Sequence, residues 1–349
     1  MKNRRGLGPG IIIRGILIIL VLAALGGGLG IYSLSRAPTG LPEAGILITV
    51  RPGASTKSIS EEITREGGLR SAIAFRVLAK ALGKESQLKS GSYRVMPGMG
   101  SLAVLDLIVS GRQALVKVTV PEGFTLRQTA ALMERLKITP AGDVLAAAKD
   151  PDLLKSMGIA APSLEGYLFP DTYFFPNNYP ASDLVRSMVG AFREKLALAS
   201  PEAAAMSPAQ LQEKVILASI VEREYRVPEE APLMASVFFN RLKIKMALQS
   251  CATVVYVMTE IQGKPHPERV FDRDLAIKNP YNTYAQRGLP PGPICSPGLT
   301  ALRAAFRPAA SSYLYFRLVD ADSGRHHFSV SLEEHRSAAD LIVKKVGGQ

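Results

Sequence analysis

Tryptophan is absent from this 349-residue chain, cysteine occurs twice and histidine four times. Two cysteines exclude a scaffold built on several disulfides and a four-thiolate zinc site. The histidines, His266, His326, His327 and His335, do not fall in a metal-ligand spacing, and His326-His327 reads as an ordinary strand pair. Neither a phosphate-binding glycine loop nor a dinucleotide fingerprint occurs. No metal and no cofactor is therefore expected. Internal repeats and low-complexity segments are also missing, and a chain with 47% hydrophobic and 21% charged residues is not disordered in bulk.

Long charge-free runs are equally scarce, and the conspicuous one is N-terminal: Gly15–Ser33, GILIILVLAALGGGLGIYS. At about 1.5 Å per residue such a helix just spans a bilayer core. Lys2, Arg4, Arg5 and Arg14 precede it and Arg36 alone follows closely, which places the N-terminus in the cytoplasm and the bulk of the chain outside. The competing reading is a cleaved signal peptide with Ala24-Leu25-Gly26 as a weak cleavage site, but its apolar core would be shorter. Acidic side chains are the minority, 30 against 42 basic ones, for a net charge of +12. Nucleic acid is the usual partner of such a chain, and export argues against it. Anionic phospholipid or acidic wall polymers fit better.

The expected organisation is α+β in four parts: a tail and transmembrane anchor at 1–36, a Pro/Gly linker at 37–44, a small unit at 45–114, and a large mixed domain at 115–349. In the small unit, strand Gly45–Val50 precedes a helix capped by Ser55 or Thr56, a second helix near Ser71–Leu82, and a strand–turn–helix over Leu88–Gly111. In the large domain, Leu115–Val120 alternates as a strand, and Thr125 with Gln128 has capping-box spacing. Leu164–Pro180 reads as a long loop between helices. Helices are expected over Gln212–Arg226 and Glu229–Met246, a Pro-rich stretch over Asn279–Gly298, and a hairpin turning at Asp320–Gly324.

Chemistry concentrates in Leu164–Phe175, LEGYLFPDTYFF, where one carboxyl, Glu165, sits among five aromatic rings. Burial beside apolar rings disfavours the ionised form, so this carboxyl can stay protonated near neutral pH and donate a proton. Cleavage of a sugar linkage needs such an acid at its leaving-group oxygen, and the rings can also stack on sugar faces. The plainer reading is a loop with an exposed Glu and core rings. Asp171 is a second carboxyl, better suited to shaping a Pro-Asp-Thr turn.

Six motifs then occur in one order: LEGYLFPDTY, ASIVERE (Ala218–Glu224), SVFFNRL leading into LQS (Ser236–Ser250), PYNTY (Pro280–Tyr284), GLPPGPI (Gly288–Ile294), and YLYF with HHFS (Tyr313–Phe316, His326–Ser329). Together with VPEGFTLRQTA (Val120–Ala130) and GSYRVMPGM (Gly91–Met99), the chain resembles the YceG-like family, the endolytic murein transglycosylases of the MltG type, over roughly Gly45–Arg336. The resemblance implies a single-pass inner-membrane protein with a LysM-like subdomain at 45–114 and a catalytic domain outside the cytoplasm. It implies cutting of MurNAc–GlcNAc bonds within peptidoglycan glycan strands, leaving 1,6-anhydro-MurNAc ends, with cell-wall synthases as possible partners.

The family's catalytic Glu maps onto Glu165, acting first as acid and then as base. Because the muramic C6 hydroxyl attacks C1 in place of water, a second carboxylate is dispensable. Glu222, Gln249, Thr253, Tyr256, Asn282 and Tyr284 are the expected substrate-binding residues, on the motif match, and the last five have an equally good reading as loop-stabilising groups. Glu222 has an equally good reading as an exposed helix-end charge. The chain departs from the family where Cys251-Ala252 replaces the usual Asp-Pro after LQS, and Cys295 follows GLPPGPI. A Cys251–Cys295 disulfide between two groove walls is expected, against two free thiols. A wall-binding protein without activity and a water-using muramidase are the alternative functions.

Overall fold

The structure, a computed structural model, describes residues 9–320 and 322–338. Lys2, Arg4 and Arg5 lie outside them. The chain divides into two compact units, Met1–Leu115 and Val116–Gln349.

In the first unit, α1 (Pro9–Ser35) contains Leu17–Ser35, the one helix among the described residues long and apolar enough to cross a membrane. After it come β1 (Ile46–Val50), α2 (Thr56–Arg65), α3 (Ala72–Ala81), β2 (Gly91–Val95) and α4 (Ser101–Ser110). Strands β1 and β2 pair antiparallel, with Ile48 opposite Tyr93. Ser55 caps α2 and Ser71 caps α3, each accepting from the backbone N–H three residues on at 3.2 Å. Ile48, Ile59, Ile63, Phe75, Tyr93, Val104, Leu105 and Ile108 form the buried core between the helices and the two strands. The buried Tyr93 hydroxyl donates to Lys89 O at 2.8 Å, so its polar end is satisfied.

The boundary between the units falls at the first residue of β3 (Leu115–Thr119), and the second unit continues with α5 (Leu126–Arg135), α6 (Ala141–Ala147), α7 (Pro151–Ser156), β4 (Thr172–Pro176) and α8 (Ala181–Ala199). The segment Leu164–Pro180 is thus not a structureless loop, because β4 lies inside it and pairs with β3. The partners are 53 residues apart and are tied side by side by Thr119 and Thr172, whose hydroxyls stand 3.0 Å apart. Helices α9 (Pro208–Glu222) and α10 (Ala231–Lys243) begin and end a few residues from their expected bounds. Ser207 and Gln210 form the capping box that starts α9 earlier. Val215–Val221 is buried at every position, so the second half of α9 runs through the core with no solvent face, while its first turns from Pro208 are open.

After α10 come α11 (Cys251–Tyr256), continued by a π-helical turn at Val257–Ile261; α12 (Asp272–Leu275); α13 (Leu299–Phe306); and the hairpin of β5 (Tyr315–Asp320) with β6 (Arg325–Ser329), which leads into α14 (Leu332–Ser337). His326 on β6 meets Glu230 at 2.8 Å, both nearly buried, and so ties the hairpin to the start of α10. The whole is a mixed α+β molecule.

Candidate active site

The capping box at the start of α5 is complete. The Thr125 hydroxyl accepts from Gln128 N at 3.2 Å, and Gln128 Oε1 accepts from Thr125 N at 2.9 Å. This fixes a first turn whose leading N–H groups have no partner inside the helix. One of them, Leu126 N, donates to Glu165 Oε1 at 2.9 Å. On the other oxygen, the Tyr256 hydroxyl donates to Glu165 Oε2 at 3.3 Å from the end of α11.

Glu165 itself stands in a turn shaped by its neighbours. Gly166 adopts φ 86°, and a Cβ there would lie 2.5 Å from Pro293 Cβ, so only glycine lets the GLPPGPI segment close over the LEG turn. The carboxyl is only 7% exposed. Burial pushes it up from the ordinary 4.5 to about 8 and the Glu260 carboxylate adds to this, while the bonds from Leu126, Tyr256 and the Gly166 backbone pull it down. The resting side chain is therefore a neutral acid at physiological pH.

The aromatic rings divide between the two expectations. Tyr167, Phe169, Tyr173 and Phe175 are core, with Tyr167 edge-on to Phe192 and Tyr173 stacked on Phe175. Phe174 alone of the five is open, at 58% exposure. Four of the five rings are thus packing residues of the core, which leaves Phe174 as the one open face. Asp171 pairs with Lys195 at 3.2 Å and accepts from its own neighbour Thr172 N at 2.7 Å, a turn-shaping arrangement.

A cavity of about 270 Å³ is lined by Thr125, Gln128, Tyr256, Thr259, Glu260 and Ile294, and Glu165 lies directly behind the Tyr256 wall. Arg127, Arg223 and Lys264 add positive charge to the lining. Among the described residues, no three His, Cys, Asp or Glu side chains converge as a metal site would require.

Of the six residues expected to bind substrate, Tyr256 lines this cavity. Thr253 and Asn282 face inward instead. The Thr253 hydroxyl bonds Ser250 O and the Thr283 hydroxyl, and the Asn282 amide donates to Leu275 O at 2.9 Å and Ile277 O at 2.8 Å, so both are fully buried in holding loops together. Gln249 is exposed, with a left-handed backbone at φ 55° and its N–H on Thr283 O. Tyr284 meets Cys251 Sγ at 3.1 Å. Glu222 is neither an exposed helix end nor a cavity residue: its Oε2 accepts from Gly298 N at 2.9 Å, where α13 begins. Burial, joined by the charge of Glu122, pushes it up to about 7.

The expected disulfide is not formed, and both cysteines are free. Cys295 is buried with its thiol directed at Ser219 O, 3.3 Å away, whereas Cys251 is exposed beside Tyr284. The two sulfurs are engaged by different partners, and α11 is tied to the PYNTY segment by the buried Thr253–Thr283 hydroxyl pair. Sequence reading missed Leu126 N and Glu260. The Thr125–Gln128 box signalled the first, since a capped helix start always presents free N–H groups. No local signal pointed to the second.

The sequence pattern of the YceG-like family matches residues 48–340. The chain belongs to the YceG-like family. It is 31% identical over 314 residues to the endolytic murein transglycosylase of Bacillus subtilis strain 168, covering 85% of this chain and 84% of that protein. Identity to the endolytic murein transglycosylase of Streptococcus pneumoniae serotype 2 strain D39 is 29% over 334 residues, covering 86% of this chain and 59% of that longer one. A crystal structure at 2.6 Å of a Listeria monocytogenes protein described as yceG-like superposes with a TM-score of 0.56 at 32% identity, covering 84% of this chain and 98% of the other. In this YceG-like chain the dispersed motifs meet in space. ASIVERE reaches LQS through Glu224 and Ser250, LQS reaches PYNTY through Ser250 N and Thr283, and GLPPGPI covers the LEG turn.

Proposed function

We propose that this chain is an endolytic peptidoglycan lytic transglycosylase, with Glu165 as its single proton-transfer group. The observation that carries the reading is Glu165 itself: a buried, neutral carboxyl in the LEG turn, held by Leu126 N and by Tyr256, which lines the cavity in front of it. As acid, Glu165 protonates the glycosidic oxygen of a MurNAc–GlcNAc bond and the C1–O bond breaks. As carboxylate, it then takes the proton from the muramic C6 hydroxyl as that oxygen closes onto C1. No water is consumed, and a 1,6-anhydro-MurNAc end remains. Tyr256 and the cavity's hydroxyl and amide groups, Thr125, Gln128 and Thr259, suit sugar hydroxyls and acetamides. The names of the bacillary and streptococcal relatives support the substrate class.

The same reading takes α1 as a single-pass anchor of the cytoplasmic membrane with its N-terminus inside, and the β-α-α-β unit after it as LysM-like. Cutting then happens close to the membrane, within nascent strands, where wall synthases work. Digestion of purified sacculi, with product masses read out, tests the chemistry. Wild-type protein should release fragments with anhydro ends, and folded Glu165→Gln protein should release none. Reducing ends would overturn the lytic mechanism, and full activity of the variant would overturn the assignment of the acid.

A further inference from the structure

The two donors that hold Glu165 each sit beside a member of one ion pair. Leu126 is followed by Arg127 on α5, and Tyr256 lies four residues before Glu260 on the helix that continues α11. Arg127 Nε stands 3.4 Å from Glu260 Oε2, and a terminal Arg127 nitrogen donates to Glu260 O at 2.8 Å. The π-helical turn at Val257–Ile261 widens the helix by one residue where Glu260 enters the cavity wall. The Glu260 side chain is 12% exposed although it lines the cleft, so its carboxylate is mostly shielded from water.

Resting on the reading above, we propose that the Arg127–Glu260 ion pair positions the proton donor Glu165 by holding together the two elements whose Leu126 N and Tyr256 hydroxyl contact its two oxygens, with Glu260 on the same continuous helix as Tyr256. The titratable groups acting on or acted on by Glu165 are Glu260 and Tyr256 on the helix, Tyr281 in the PYNTY loop and Cys295 after GLPPGPI. Burial keeps both tyrosines and the Cys295 thiol protonated. Glu260, paired to Arg127, is the group that brings a charge. Its repulsion opposes ionisation of Glu165, so the state of the pair is read in the titration of that group. Glu260 is thus a positioning residue, acting on bond cleavage through Glu165 rather than on the sugar.

The test is the pH dependence of sacculus cleavage by the full chain in detergent. Activity of the wild type should fall on the alkaline side as Glu165 ionises. In Glu260→Gln, which keeps the size and an oxygen acceptor for Arg127, the alkaline half-point should move down by about half a pH unit or more. In Arg127→Gln, where the negative charge loses its counterion, it should move up. Glu260→Asp should stay near the wild type, with a lower rate from its shorter reach. Opposite shifts in the two charge-removing variants support the proposal, because loss of structure alone would not separate them by sign. Half-points that coincide, or move in the same direction, overturn it while leaving anhydro products, and so the enzymatic reading, intact. Absence of anhydro products from the wild type at every pH would instead overturn that reading and the proposal with it.

Discussion

Two opposing surroundings act on the Glu165 carboxyl. Apolar burial favours the acid form, whereas a helix-start N–H and a phenol hydroxyl favour the carboxylate that follows proton release. Burial wins, which leaves the group neutral below about pH 8. The same balance has a consequence for folding. An unfolded chain ionises this side chain near 4.5, so between pH 4.5 and 8 the folded state binds the extra proton. The contribution of the protonated side chain is complete below pH 4.5 and is lost as pH rises to 8. At about 1.36 kcal/mol per unit the full loss is on the order of 5 kcal/mol. Glu165→Gln does not titrate, so its stability relative to the wild type should rise between pH 5 and pH 9, measured by urea unfolding. An unchanged difference would mean that the carboxyl is not desolvated.

The elements around that residue explain what the sequence made readable. Caps at Ser55 and Thr125 are legible because donor and acceptor are three residues apart, and so is the hairpin turning at Asp320–Gly324. The pairing of β3 with β4, the meeting of Leu126 with Glu165 and the ion pair of Arg127 with Glu260 span 53, 39 and 133 residues. Nothing local encodes such contacts. The motif match put Thr253 and Asn282 among the substrate-binding residues, whereas their polar groups turn inward to hold loops. Residue type alone cannot separate that role from substrate binding. The α5 start joins both levels, and there a sharp outcome is expected. Thr125→Ala removes the cap and should lower stability by about 1 kcal/mol. It should also lower cleavage more than that loss explains, since the fraying turn carries Leu126 N away from Glu165. Thermal unfolding beside initial rates checks this; undiminished activity would show that the cap does not support the acid.

At the scale of the molecule, each of the two compact units has a buried core of its own. The larger one is crossed by α9, whose interior position leaves Ser219 next to Cys295 with no route to solvent. The other thiol, on Cys251, opens outward. The chain therefore carries a built-in gauge of its integrity. A maleimide dye should attach once to native protein and twice after denaturation, with reductant making no difference, and the appearance of the second adduct would time the opening of the interior.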